Sequence, residues 1–194
     1  MEAKQISLFT DKEFAEVLSE ASLVEFTTEE QAVIDRFLAV YENDVNAVDD
    51  NGSTLLHNAA ADWWGIEVLK YLILQGLDVN AKTNVGFTPL HVVAEAEDIE
   101  ATKFLISVGA DISARDEDGC TPLHYAVIRD DVAIHLVSKG ADIDAKDNDG
   151  ETPLDWARAV AKTCVPNGYD PGAVKYLESI GAKSGKDLIT EPKE

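Results

Sequence analysis

One short motif recurs four times along this chain, and that recurrence limits the possible folds more than any other feature. Gly52-Ser-Thr-Leu-Leu-His57 returns as Gly86-Phe-Thr-Pro-Leu-His91, as Gly119-Cys-Thr-Pro-Leu-His124 and as Gly150-Glu-Thr-Pro-Leu-Asp155. The threonines Thr54, Thr88, Thr121 and Thr152 lie 34, 33 and 31 residues apart. A second motif follows the first: Gln75-Gly-Leu-Asp-Val-Asn-Ala81, Val108-Gly-Ala-Asp-Ile-Ser-Ala114, Lys139-Gly-Ala-Asp-Ile-Asp-Ala145, and a degenerate Ile180-Gly-Ala182. A unit this short cannot bury an apolar face by itself. Stacked neighbours can, so a fixed period of this length implies a solenoid built by repetition.

Each segment of the unit has a local physical reading. Thr-Pro opens a helix, because threonine caps free amides and proline fits the first helical position. Leu55 replaces that proline in the first copy. A short helix follows, then a second with apolar residues at helical spacing, as at Ile66, Leu69, Leu72 and Ile73. Gly76, Gly109 and Gly140 stand where that helix must end in a left-handed conformation. Asp49 to Gly52 and Asp116 to Gly119 read as hairpin turns. Residues 28–45 form a capped amphipathic helix, with Thr28 as its N-cap.

These residues carry a resemblance to the ankyrin repeat family. The resemblance implies an all-α repeat solenoid, a stack of helix-turn-helix units joined by β-hairpin turns. Residues 1–45 are then an N-terminal helical segment with a degenerate capping repeat, and 46–182 are the array. Residues 183–194 are expected to be a disordered tail. A short helix is expected around Phe14, Val17 and Leu18. Three departures from the pattern stand out. Trp63-Trp64-Gly65 replaces the usual turn between helices in the first repeat. The third repeat is two residues shorter between Thr121 and Gly140, which predicts a clipped second helix. In the fourth, Asp155 replaces histidine, and Thr163 to Pro171 is inserted as a surface or binding loop.

Composition narrows the function. The 194 residues carry 37 Asp plus Glu against 16 Lys plus Arg, a net charge of −21. Such a surface repels nucleic-acid phosphate and anionic membranes. It attracts basic partners, and a focused field speeds their encounter by about 10- to 1000-fold. No basic leader with an apolar core opens the sequence, and no apolar run reaches membrane-spanning length, so a cytoplasmic location is expected. Cys120 and Cys164 do not make a disulfide framework, and Cys120 is expected to be an exposed thiol. His57, His91 and His124 fall one per repeat, too far apart in sequence to be a zinc motif. The resemblance gives them a structural role, bonding backbone and linking neighbours. No metal, cofactor or catalytic residue is expected, and no enzymatic activity.

The resemblance also implies that a partner protein binds a concave face made of hairpin tips and first helices. The family's variable positions fall on Asp50, Asn51, Ser53, Ala61 and Asp62 in the first repeat. In the second they are Asn84, Val85, Phe87, Glu95 and Ala96. The third contributes Glu117, Asp118, Cys120, Ile128 and Arg129, and the fourth Asn148, Asp149, Glu151, Ala159 and Val160. Trp63 and Trp64 are further aromatic candidates, one filling the altered turn and the other, with Trp64 favoured, open to a partner. Phe87 is the first choice for an apolar anchor within a charged rim, with packing against the next hairpin as its alternative. The expected function is an interaction module that binds a basic protein. In a bacterial source it could inhibit a toxin or nuclease. The alternative is a scaffolding adaptor using apolar contacts. Like-charge repulsion predicts a monomer when unbound.

Overall fold

The computed structural model describes residues 26–61, 64–127, 130–164 and 172–189. The helix expected around Phe14 lies outside these residues, as do 165–171 of the insertion. Among the described residues the helices are α1 (Thr28–Val40), α2 (Leu55–Ala61), α3 (Ile66–Leu74), α4 (Pro89–Glu95), α5 (Ile99–Ser107), α6 (Pro122–Tyr125), α7 (Asp130–Ser138), α8 (Pro153–Cys164) and α9 (Gly172–Ser179). A 3-10 turn at Asp187–Ile189 follows. Helices α2, α4, α6 and α8 pack side by side in a first row. Helices α1, α3, α5, α7 and α9 form a second row behind it.

The second row is aligned on its glycine ends. Val68, Leu69 and Leu72 are buried ahead of Gly76, Ala101, Thr102 and Leu105 ahead of Gly109, and Val132, Ala133 and Leu136 ahead of Gly140. The spacing to the glycine is the same in each. Burying each leucine contributes about 2 kcal/mol. Thr102 satisfies its hydroxyl by donating to Asp98 O at 2.7 Å. This alignment corrects the expectation about the short third repeat. Helix α7 keeps nine residues, while α6 has four against seven in α2 and α4. The deletion falls on the first helix, because shortening α7 would pull its buried triplet out of line with α5 and α9.

Each second-row helix ends in the same way. The amides of Leu77, Ala110, Ala141 and Ala182 donate back to Leu72, Leu105, Leu136 and Leu177, and the glycine between has positive φ. Helix α1 repeats this geometry: Asn43 N donates to Leu38 O at 2.9 Å. Glu42 occupies the glycine position with φ of 53°. Helix α1 thus has the ending of a second-row helix, with Ile34, Phe37 and Leu38 buried. Its N-cap is Thr27 rather than Thr28. Thr27 Oγ1 accepts from Glu30 N, and Thr27 N donates to Glu30 Oε2 at 2.7 Å.

The hairpins are tight turns rather than strands. Asp49 N donates to Ser53 O, and the same bond recurs from Thr83 to Phe87, Asp116 to Cys120 and Asp147 to Glu151. Among the described residues the one isolated β-bridge joins Val48 and Thr54. The tips are bonded to one another: Asn84 N to Asn51 O at 2.8 Å, Glu117 N to Val85 O at 2.9 Å and Asn148 N to Asp118 O at 2.8 Å. Gly86 is needed twice at such a junction. Its φ is 81°, and a Cβ there would stand 2.9 Å from Asp116 Cα.

The histidines join the repeats from within. His91 Nδ1 faces two donors, Thr88 N at 3.2 Å and Thr88 Oγ1 at 2.9 Å. A nitrogen facing a backbone N–H must accept, so the ring proton sits on Nε2. Nε2 then donates to Cys120 O of the next repeat at 3.2 Å. His57 does the same toward Phe87 O at 3.0 Å, and His124 toward Glu151 O at 3.4 Å. Asp155 keeps the inner half of this arrangement by accepting from Thr152 N. On the outer side its Oδ2 accepts from Gly185 N at 2.7 Å, where the histidines donate to the next hairpin. The segment 183–189 therefore departs from the expected disordered tail. Lys183 N donates to Asp144 Oδ1 at 2.7 Å, and Ser184 is buried. Gly185 packs directly on Gly150 O, with no room for a Cβ. Residues 190–194 lie outside the described residues.

Two outcomes follow. Glu42 sits in a backbone region that costs a side chain about 1 kcal/mol, so Glu42→Gly should raise the unfolding free energy by up to that amount in urea titration. Glu42→Ala removes the same charge and should not, which separates strain from electrostatics. The second outcome concerns acid. Burial holds His57, His91 and His124 below the ordinary imidazole value of 6.5. Above that value both folded and unfolded chains are neutral at these sites, and stability is full. Below it the unfolded chain binds protons that the folded chain resists. Stability should fall between pH 7 and 5, by up to about 1.4 kcal/mol per pH unit for each imidazole. A rise over that interval would contradict the buried neutral bridges.

Candidate functional site

Hairpin shape is set by a carboxylate at the start of three of the four turns. Asp49 Oδ1 accepts from Asn51 N and Ser53 N, Asp116 Oδ1 from Asp118 N and Cys120 N, and Asp147 Oδ1 from Asp149 N and Glu151 N. Thr83 Oγ1 serves in the second repeat by accepting from Phe87 N. With the turns fixed and their tips bonded in sequence, Asp50, Asn51, Asn84, Val85, Glu117, Asp118, Asn148, Asp149 and Glu151 are all exposed. Glu95 at the end of α4 is exposed too. Most of the residues expected from sequence are therefore accessible at the tips and first-row helix ends. Asp62, Trp63, Ile128 and Arg129 lie outside the described residues.

Several side chains have duties other than those expected. Asn84 Nδ2 donates to Asp50 O at 3.0 Å and Asn148 Nδ2 to Glu117 O at 2.8 Å, so both amides link neighbouring tips. Phe87 is half-buried rather than a free anchor. Its ring stacks on His91 with centroids 5.2 Å apart and meets Tyr125 at 4.9 Å. Packing against the next repeat is the alternative that the geometry favours. Trp64 is half-buried against Phe37 of α1 at 5.4 Å, filling the altered turn. Cys120 is fully buried, not exposed. Burial and the nearby carboxylates, Asp116 foremost, push its thiol up to about 12, which removes it as a nucleophile.

Two residues of this face were not among those expected. Tyr125 and Trp156 directly follow His124 and Asp155, where Asn58 and Val92 stand in the earlier repeats. A legible signal existed. In the second repeat the expected position Glu95 lies three residues beyond Val92, the match of Tyr125, which is helical spacing along one face of α4. Tyr125 and Trp156 are half-buried, with ring centroids 5.4 Å apart at 68°. Tyr125 OH donates to Asp116 Oδ2 at 2.7 Å, and Trp156 Nε1 donates to Asp147 Oδ2 at 2.9 Å. Burial and the Asp116 carboxylate raise the Tyr125 hydroxyl well above its ordinary range, so it remains a donor.

The face is electrostatically one-sided. Among the described residues, ion pairs join Lys103 to Glu100 and Arg158 to Glu178, both away from the tips. Asp50, Glu95, Glu117, Asp118, Asp149 and Glu151 have no ion-pair partner among the described residues. Among the described residues, three cations on the hairpin stems bond backbone. Lys82 Nζ donates to Arg115 O, Arg115 to Lys146 O and Lys146 Nζ to Gly185 O. Among the described residues, no group of three or more His, Cys, Asp or Glu side chains could hold a metal ion. No described helix is long and apolar enough to cross a membrane.

Comparison with known proteins agrees with this geometry. The family model for ankyrin repeats matches three overlapping stretches, residues 27–116, 58–147 and 94–173. No curated protein matches the sequence. The matched stretches run from α1 into α9 and take in every hairpin and both helix rows. The chain belongs to the ankyrin repeat family and carries a protein–protein interaction module.

Proposed function

We propose that this chain binds a basic partner protein across its hairpin tips and first-row helices. One observation carries the proposal: six exposed carboxylates on that face have no ion-pair partner among the described residues, in a chain of net charge −21. Such a field steers a basic protein toward the face and suppresses acidic competitors. In its sharper form the interaction is inhibitory. Carboxylates spaced along a rigid face offer a nuclease or similar toxin the negative charge it otherwise seeks in phosphate. Like-charge repulsion keeps the free chain monomeric, and the cytoplasm is its expected place of action. A second proposal, an adaptor held by apolar contacts, is favoured by Val85, which is 45% exposed at a tip.

Capture from the native source separates the two. The immobilised chain is washed at about 0.1 M and then 1 M salt, across which the Debye length falls from about 10 to 3 Å. The expected result is a basic protein retained at the first and released at the second. Assay of that protein for nuclease activity, with and without the chain, tests inhibition. A partner still held at 1 M salt would favour the apolar adaptor and contradict the electrostatic proposal.

A further inference from the structure

The C-terminal half of this face carries a feature that the N-terminal half lacks, and its meaning rests on the proposal of a basic partner. Phe87, Tyr125 and Trp156 come from three successive repeats and stand in a row. Their ring centroids are 4.9 and 5.4 Å apart, and both contacts are edge-to-face. Each of the three residues is half-buried and keeps part of its surface open to solvent. Asn58 and Val92 occupy the helix position of Tyr125 and Trp156 in the first two repeats, so the second repeat joins the row only through Phe87 of its hairpin and the first does not join it.

The polar ends of two rings are tied to carboxylates, Tyr125 OH to Asp116 and Trp156 Nε1 to Asp147. These bonds fix the ring orientations before any partner arrives, which lowers the ordering cost of binding. They also shift electron density from the donated hydrogen into the ring and make its face more attractive to a cation. Neither Asp116 nor Asp147 has an ion-pair partner among the described residues. The hairpins of the same two repeats add exposed carboxylates at Glu117, Asp118, Asp149 and Glu151. Electron-rich rings and unpaired carboxylates therefore share one patch.

We propose that Tyr125 and Trp156 form a platform for an arginine of the basic partner, whose guanidinium lies on the rings with its N–H edge turned to the hairpin carboxylates. Arginine fits this patch better than lysine. Its guanidinium is planar, weakly hydrated and forked, so it can stack and pair at once. The lysine ammonium is compact and strongly hydrated, and gains less from a ring. An apolar anchor would gain the ring contact but would take nearby carboxylates out of water without a counter-charge.

The test uses the full chain with isotopic labelling, titrated with nona-arginine and nona-lysine peptides at one salt concentration. The tryptophan indole N–H resonances are followed by NMR. Nona-arginine should bind at least about fivefold tighter than nona-lysine and should shift the Trp156 indole resonance. Trp156→Leu, which leaves the charge unchanged, should bring the two peptides to equal affinity. If that variant fails to fold, the wild-type affinity ratio and the Trp156 shift decide alone. Equal affinity, or an undisturbed Trp156, would overturn the platform while leaving the acidic face intact. Binding of neither peptide would overturn the platform and the basic-partner proposal together.

Discussion

No repeat in this chain can bury its own apolar face, and everything else in the structure answers that constraint. Each second-row helix offers a few small or branched apolar residues, such as Val132, Ala133 and Leu136, to the helices on either side. The burial is useful only if neighbours keep one register. The Thr-x-x-His unit enforces it by capping its own helix and donating from Nε2 to a carbonyl of the next hairpin. The tip-to-tip bonds repeat that link at the far side of the unit. Stability and regularity thus come from nearest-neighbour contacts, as expected of a quasi-one-dimensional stack.

The same arrangement frees a surface. Caps, turns and inter-repeat bonds use backbone groups and a small set of fixed side chains. Apart from Asn84, Asn148 and the packed aromatic rings, the side chains between them, at the tips and along the first-row helices, carry little structural duty and can be chosen for a partner. Here they are mostly carboxylates toward solvent, with aromatic rings set deeper in the C-terminal half. The cations on the hairpin stems are committed to backbone carbonyls and serve the stack.

Much of this was legible because the repeat is a physical rule stated several times. Glycine at the helix ends, threonine at the helix starts and histidine between repeats each recur at fixed places in the unit and fold as expected. What was missed depends on neighbours rather than on the unit. The two-residue deletion could have fallen on either helix of the third repeat, and only the register demanded by α5 and α9 places it on α6. Phe87 and Cys120 sit at a variable position that suggests exposure, but the adjoining repeat covers them. Asp155 looks like loss of a link, whereas its carboxylate reverses the bond's polarity and accepts from Gly185. The closure at 183–189 has no repeat motif to announce it. The Glu42 position was hidden because glutamate gives no sign of a left-handed backbone.

The most direct test of this account is carboxyl footprinting of the chain alone and in complex with its captured partner. Exposed carboxylates are coupled to an amine with carbodiimide, and the modified positions are read by mass spectrometry. Glu117, Asp118, Asp149 and Glu151 should lose labelling in the complex, while Glu29 on α1 and Glu178 on α9 should keep it. Protection of the second-row carboxylates with the hairpins still labelled would contradict it and place the partner on the opposite side of the stack.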